Sequence, residues 1–422
     1  MGEPSKEHHD GEENKVIAEP DSKMAWLMVA CAFFMNFVGT GTIAILGLYS
    51  VHFASNEFKD QPQTTLQLVV GCVGSISALC SLLSGIVIQK VGFRNTVLIS
   101  GLIYAAGMIV TSFASQIWHL IVGESILVGV ASSFAFITTV TLLPQWLNKY
   151  RGVALGISAA GSGVGGLVLS PLVQYLIDMV GIQWAIRING IIVTVILLSC
   201  GLIVRPRINM PPRSKLVDFS IIKSKKFLSF YAVGLFTGLG FWSPFYLIGF
   251  YCKYHGISAT STSIILGLMN GGSAVGRILI GQVSKYTGSI NALIFTQLIC
   301  SLSFVLIWNF ATVTWSLIIF AIVFGMFSGA FYTLSPMISP QLFGVEKLAQ
   351  VNGLYFTSIA PGSLVGPMIS QALITLYTTK AGDLEIINYF PMQIYLFAVY
   401  IASVIFVILL RIQLTKELFK KI

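Results

Sequence analysis

Three charged side chains fall within long apolar runs in this sequence, two of them well inside. Arg277 lies within "GGSAVGRILIG", Gly271 to Gly281, in a stretch that is otherwise apolar from Ser263 to Val283. A guanidinium there keeps its charge and can grip a carboxylate through two parallel hydrogen bonds. On a helical wheel Asn270, Ser273 and Arg277 fall at i, i+3 and i+7, within about 60° of one another, with Gly272 and Gly276 roughly opposite. One face is polar and suited to line an aqueous path; the other suits close helix contact. The expected role of Arg277, with Asn270 and Ser273 beside it, is to bind or gate a substrate anion. The plainer alternative is a structural arginine bonded to backbone carbonyls. Glu124 is the only acid inside such a run, and a carboxyl at that depth can carry a coupling proton. Val128, Ala131, Ala135 and Thr138 share its face, so a packing role competes. Arg277 sits deeper, and no direct pair with Glu124 is expected. Arg187, near the other interface, reads as an ordinary snorkelling side chain.

The elements that must position these groups follow from composition. Of 422 residues, 55% are hydrophobic and 10% charged, and the mean hydropathy is +0.84. A soluble exterior cannot be built from so few charges, so the class is a polytopic membrane protein. The first 24 residues are polar, with Glu3, Glu7, Asp10, Glu12 and Glu13, unlike a secretory signal. Apolar runs long enough to cross ~30 Å of hydrocarbon fall at 25–51, 66–88, 95–113, 117–142, 152–177 and 184–204, then at 228–252, 261–283, 289–309, 313–337, 349–376 and 390–411. They are numbered here as spans 1 to 12. Helices are the expected solution, because backbone polar groups cannot stand unpaired in lipid.

With both termini in the cytoplasm, the cytoplasmic segments hold 20 of the 25 basic residues; Lys59, Lys253 and Lys380 fall outside, and Arg187 and Arg277 within spans. That asymmetry sets the expected orientation and accounts for the net charge of +9 without nucleic acid. The basic segment 205–227 separates a six-span bundle at 25–204 from a second at 228–411, with tails at 1–24 and 412–422. The halves echo each other. Gly85 and Gly92 on span 2 are spaced like Gly281 and Gly288 on span 8, and "AAGSGVGG" in span 5 returns as "APGSLVG" in span 11. The expected fold is all-α, with 12 transmembrane helices in two six-helix pseudo-repeats, as in many secondary transporters. No Gly-x-x-x-x-Gly-Lys-Ser/Thr loop, paired-carboxylate site or catalytic triad is visible, and no cofactor or metal-ligand spacing, so no enzyme is expected. The six cysteines read as small buried hydrophobes. The helix 5 glycines Gly156, Gly161 and Gly165 read as packing positions. Arg151, Lys149 and Lys90, on cytoplasmic turns, read as holding an inner gate. Phe331, Tyr332 and Tyr355 rank low as cavity-lining residues.

Three stretches carry a family resemblance. "QWLNKYRGVALGISAAGSGVGG", Gln145 to Gly166, "NGGSAVGRILIG" in span 8 and "VGIQWAIRING" at the start of span 6 resemble the major facilitator superfamily. Within it they are most similar to the monocarboxylate transporter (MCT)-like family and its fungal-type relatives. Lys149, Arg151, Ala154, Gly156, Gly161 and Gly165 occupy the family's positions, with Val153 in place of a leucine. The chain departs from that pattern at span 1, where "DSKMAW" keeps only Asp21 and Trp26 and Ala44 stands near a lysine position of mammalian members. It departs again at Ser273, where they carry an aspartate, and at Gln89, where the superfamily's loop motif has one. The resemblance implies alternating access, with a small organic anion, first a monocarboxylate, as substrate and proton symport as one mode. The alternative is another organic solute such as riboflavin; a non-transporting solute sensor ranks behind both. The implied partners are that solute and the lipid bilayer, and an accessory membrane protein is left open. The plasma membrane is the first expected location, an organelle membrane the second.

Overall fold

The computed structural model describes residues 19–59, 63–207, 219–381 and 384–415. Most of the expected N-terminal tail, the centre of the basic linker with Arg213 and Lys215, and most of the C-terminal tail lie outside these residues, as do the side chains of Ala44 and Lys380.

The chain is all-α apart from one small hairpin, and among the described residues ten helices are long and apolar enough to cross a membrane. The twelve expected spans map onto these ten and two further stretches. Span 1 is broken at Thr40–Thr42 into Lys23–Gly39 and Ile43–Ser55. Span 2 starts as Gln63–Leu79 and continues into Ser81–Ser112, which also contains span 3. The two are divided by a kink at Gly92, where φ is +83°, a value that only glycine adopts readily. Span 4 comprises Ile117–Leu120, a π-helix at Ile121–Val128 and Gly129–Trp146. Spans 5 to 9 are Arg151–Val180, Ile182–Ile203, Lys225–Tyr254, Ala259–Thr287 and Ser289–Leu306. Span 10 is interrupted at Gly329 and span 11 at Thr357–Ser358; span 12 is Phe390–Leu414. Two elements were not expected: a short helix, Phe219–Lys223, before span 7, and a pair of three-residue strands, Thr379–Ala381 with Leu384–Ile386, between spans 11 and 12. Residues 147–151, 205–207, 285–288 and 344–347 gather at one end of the bundle, called here the basic end.

The repeats meet by backbone contact. A methyl group added at Gly281 of span 8 would collide with the carbonyl of Gly152 in span 5, and one at Gly156 with the carbonyl of Arg277. Span 2 meets span 11 in the same way, Gly85 against Ala349 and Gly353 against the backbone of Ser81. Positions 152 and 349, like 156 and 353, are 197 apart; positions 81 and 277, like 85 and 281, are 196 apart. The two crossings are thus one motif used twice. Towards the opposite end, a methyl at Gly71 or Gly74 on span 2, or at Gly267 or Gly271 on span 8, would meet nothing. Within the second repeat, Gly276 lies against the backbone of Met326 on span 10, the close contact its spacing with Gly272 implied.

These contacts separate two glycines five residues apart on one helix. Gly276→Leu forces a side chain into the span 10 backbone, and overpacking of that kind costs about 1–3 kcal/mol or more. Gly271→Leu has room. The yield of monodisperse protein and its unfolding temperature in detergent should fall for Gly276→Leu and match wild type for Gly271→Leu.

Candidate functional site

Arg277 leaves span 8 at the crossing with span 5. Its Nη1 donates to the carbonyl of Ala159, 2.6 Å away, and to the hydroxyl of Ser162. Its guanidinium carbon lies 5.3 Å from the centre of the Tyr332 ring on span 10, a cation–π distance. Tyr332 was ranked low from sequence, yet it forms the floor beneath the one arginine of span 8. Its ring is 5.2 Å from Phe241 on span 7 and 6.3 Å from Phe136 on span 4, which is 4.8 Å from Phe356 on span 11. Aromatic rings from both repeats therefore form one wall, of which Tyr332 faces the guanidinium. Phe331 and Tyr355 are buried in the core behind it.

On the side towards Gly329 two polar atoms are left over. The Nε of Arg277 and the Oγ of Ser273 are buried without a hydrogen-bond partner, and a methyl at Gly329 would press on both. Buried polar groups are nearly always paired, so these two atoms are an unmet bonding demand that a ligand or water would satisfy. The structure joins Ser273 to Arg277 but not Asn270. Asn270 is exposed, and its amide bonds back to the carbonyl of Leu266 one turn earlier. The helical wheel grouped the three by angle alone and carries no information on depth.

Glu124 lies elsewhere, 2% exposed, in the π-helix of span 4. The wider turn breaks the continuous wheel assumed from sequence. Val128, Ala131, Ala135 and Thr138 are buried; Ala135 lies against Gly39 of span 1 and the carbonyl of Ala131 accepts from Ser100 of span 3, while Glu124 lies near Tyr49 of span 1 and Tyr104 of span 3. Asn189 of span 6 is close enough to influence both tyrosines, yet by hydrogen-bond geometry Glu124 Oε1, both tyrosine hydroxyls and both amide atoms of Asn189 lack partners. The corresponding helices of the second repeat, spans 7, 9 and 12, hold a closed polar knot. There Gln297 donates to Thr237 at 2.6 Å, and Thr237 meets Ser403 at 3.0 Å. The first repeat keeps an open nest where the second is satisfied. Tyr49, Tyr104 and Asn189 were not found from sequence; each is a single polar residue in a different apolar run, and nothing in their spacing links them.

The proposed gate residues divide. Gly156 packs against span 8 at the crossing, whereas Gly161 and Gly165 pack on Phe33 and Phe37 of span 1. Arg151 donates to the carbonyls of Leu147 and Pro144, at 3.1 and 3.2 Å, so it ties the turn between spans 4 and 5 and does not bridge the repeats. Lys90 is exposed and, among the described residues, makes no hydrogen bond or ion pair; Ser81 and Gly85 make the contact at its end of span 2. Asp21, at φ +60°, accepts from the backbone N–H groups of Asn148, Lys149 and Tyr150 at 3.1–3.4 Å. It thus serves the unpaired donors that precede span 5. Arg187 bonds Ser112 and lies over Phe113 and Trp184.

A membrane-spanning bundle of two pseudo-repeats, joined by close crossings around a buried guanidinium, defines a solute carrier. The sequence profile of the Major Facilitator Superfamily matches residues 25–367, and the chain belongs to that superfamily; it is a carrier and not an enzyme. It is similar to fungal members. It is 28% identical to the MFS-type transporter pynF of Aspergillus niger over 367 residues, 85% of this chain and 83% of that protein. It is 24% identical to the agnestins efflux protein AgnL12 of Paecilomyces divaricatus, covering 94% and 89%. It is 23% identical to the aspyridones efflux protein apdF of Emericella nidulans, covering 84% and 72%.

The open nest generates a direct expectation. A polar pocket with several unpaired donors and acceptors holds water. An experimental map at high resolution should show at least one ordered water bonded to Glu124 and to Tyr104 or Asn189. A dry nest with the side chains re-paired among themselves would contradict it.

Proposed function

We propose that the protein moves a small organic anion across the membrane by alternating access, and that Arg277 and Ser273 hold its carboxylate. The observation that carries this reading is the pair of unpartnered buried atoms, Nε of Arg277 and Oγ of Ser273, beside Gly329. A carboxylate accepting from both supplies the missing acceptor. It accepts at Nε while Nη1 stays on the Ala159 carbonyl, so the anion is held at the crossing of spans 5 and 8 and its binding is coupled to the rocking of 25–204 against 228–411. Asn270 then serves on the approach to the site. Gly156, Gly161, Gly165 and Arg151 keep packing and turn-holding roles in that motion, and Lys90 a charge-placing one. A monocarboxylate is the first substrate to try, because the span 5, 6 and 8 motifs resemble the MCT-like family. On the excess of basic residues we assign the basic end and both termini to the cytoplasm; on that assignment the closed crossings correspond to an outward-facing form, and the plasma membrane is the proposed site of action.

Glu124, with the nest around it, is the proposed proton carrier. An ionised carboxyl buried with no cation beside it is costly, so a proton must accompany its passage through the closed state. A second reading, export of a larger aromatic or heteroaromatic solute of which riboflavin is an example, is favoured by the wall of Tyr332, Phe136, Phe241 and Phe356. The names of AgnL12 and apdF as efflux proteins support the export direction of this reading.

Reconstituted vesicles supplied with monocarboxylates and aromatic acids, with and without a pH gradient, test both roles. A charge-assisted hydrogen bond is worth about 1.5–3 kcal/mol, so Arg277→Lys should raise the apparent KM roughly 10- to 150-fold, and Arg277→Ala more. Glu124→Gln should abolish gradient-driven uptake and spare substrate exchange. Normal transport by Arg277→Ala, per folded molecule, removes the anion site. Unchanged gradient-driven uptake by Glu124→Gln removes the coupling role.

A further inference from the structure

At the basic end the two repeats enclose a cleft of about 460 Å³. The turn between spans 4 and 5 contributes Lys149 and Arg151; the turn between spans 8 and 9 contributes Lys285, Ser284 and Ser289; the end of span 10 contributes Gln341. Cations thus enter from both repeats. The ammonium of Lys149 lies 5.4 Å, and that of Lys285 5.7 Å, from the centre of the same Tyr150 ring. Among the described residues neither ammonium pairs with a carboxylate. Asp21, the acid at this turn, is already engaged by three backbone N–H groups. Ser289 Oγ donates to Gln341 Oε1 at 3.2 Å, which leaves the Gln341 amide N–H groups to face a ligand. No acid lines the cleft; Asp21, behind the turn, offsets part of the Arg151 charge, and the two ammonium groups, which repel as like charges, have no carboxylate of their own.

We propose that this cleft binds a phosphate-bearing anion that bridges the two repeats and holds the basic end shut. Lysines are suited to phosphate as compact point charges, and basic pockets between membrane helices accept phospholipid headgroups. The cleft borders the contact between Gly152 and Gly281. Its two walls therefore come together only when that crossing is closed, and a ligand that needs both walls shifts the population towards the closed form. The headgroup of an anionic phospholipid and a soluble phosphate offer the same chemistry. The inference is independent of which solute is carried.

The full chain, purified into phosphatidylcholine nanodiscs, tests it. Inorganic phosphate is titrated in one arm; in the other, phosphatidylglycerol is included in the disc. Binding is read from the unfolding temperature and from lipid retained in native mass spectrometry. Wild type should be stabilised in at least one arm. Lys149→Ala with Lys285→Ala should bind at least about 10-fold more weakly, as expected for the loss of a charge-assisted contact, while Lys253→Ala, away from the cleft, should bind as wild type. Lys285→Gln alone serves if the double variant is unstable without ligand, and should weaken binding in the same direction. Response to phosphatidylglycerol alone assigns a lipid headgroup; response to inorganic phosphate assigns a soluble anion; both support the cleft as a phosphate site. No response in wild type, or an equal response in wild type and both cleft variants, overturns it.

Discussion

The arrangement rests on backbone approaching backbone at two crossings, span 5 with span 8 and span 2 with span 11. At Gly152, Gly156, Gly281, Gly85 and Gly353 no side chain stands between the repeats. Such contacts hold through dispersion over a short stretch and through few hydrogen bonds. They can therefore part without stranding many polar groups, which suits a surface that must open and close. The two crossings differ at one matched position. Ser81, the repeat counterpart of Arg277, bonds the carbonyl of Gly353 at 2.7 Å and goes no further. Arg277 reaches past its crossing to Ala159 and Ser162 and covers Tyr332. The two crossings are structurally unlike in that respect.

A second asymmetry lies in one matched pair of polar clusters, although both repeats hold other buried polar atoms without partners. Thr237, Gln297 and Ser403 satisfy one another in the second repeat. Tyr49, Tyr104, Glu124 and Asn189 face one another in the first without bonding. Leaving a buried polar group unpaired costs about 1–3 kcal/mol, so an open nest persists where water or a moving proton completes it. The π-helix at Ile121–Val128 sets the turn on which Glu124 stands, and local departures of this kind recur at functional sites.

Much of this was legible in the sequence, for physical reasons. Apolar runs of membrane length have few alternatives to helices, so the twelve spans were visible. The paired glycine spacings disclosed the repeats, because only glycine permits the approach at Gly85 and Gly281. Arg277 and Glu124 stood out as charges in apolar surroundings. What was hidden depends on contacts between distant spans. Tyr332 is an ordinary aromatic until Arg277 is laid over it. Tyr49, Tyr104 and Asn189 share no periodicity. Asn270 shares a face with Arg277 yet ends exposed. The break at Thr40–Thr42 and the π-turn in span 4 also escaped, since the wheel assumes an unbroken α-helix.

The central claim is that the crossings at the basic end close while the opposite end opens, and that the two exchange. Spin labels at Lys90 and Tyr286, both exposed at the basic end, report one distance between the repeats. Labels at Met179 and Ile264, exposed towards the opposite end, report the other. Pulsed electron-paramagnetic-resonance distances in nanodiscs, taken over a pH series with and without candidate solutes, should resolve two populations for each pair. The basic-end distance should lengthen as the opposite-end distance shortens. Two single distances that never move, or two that lengthen together, would contradict the account.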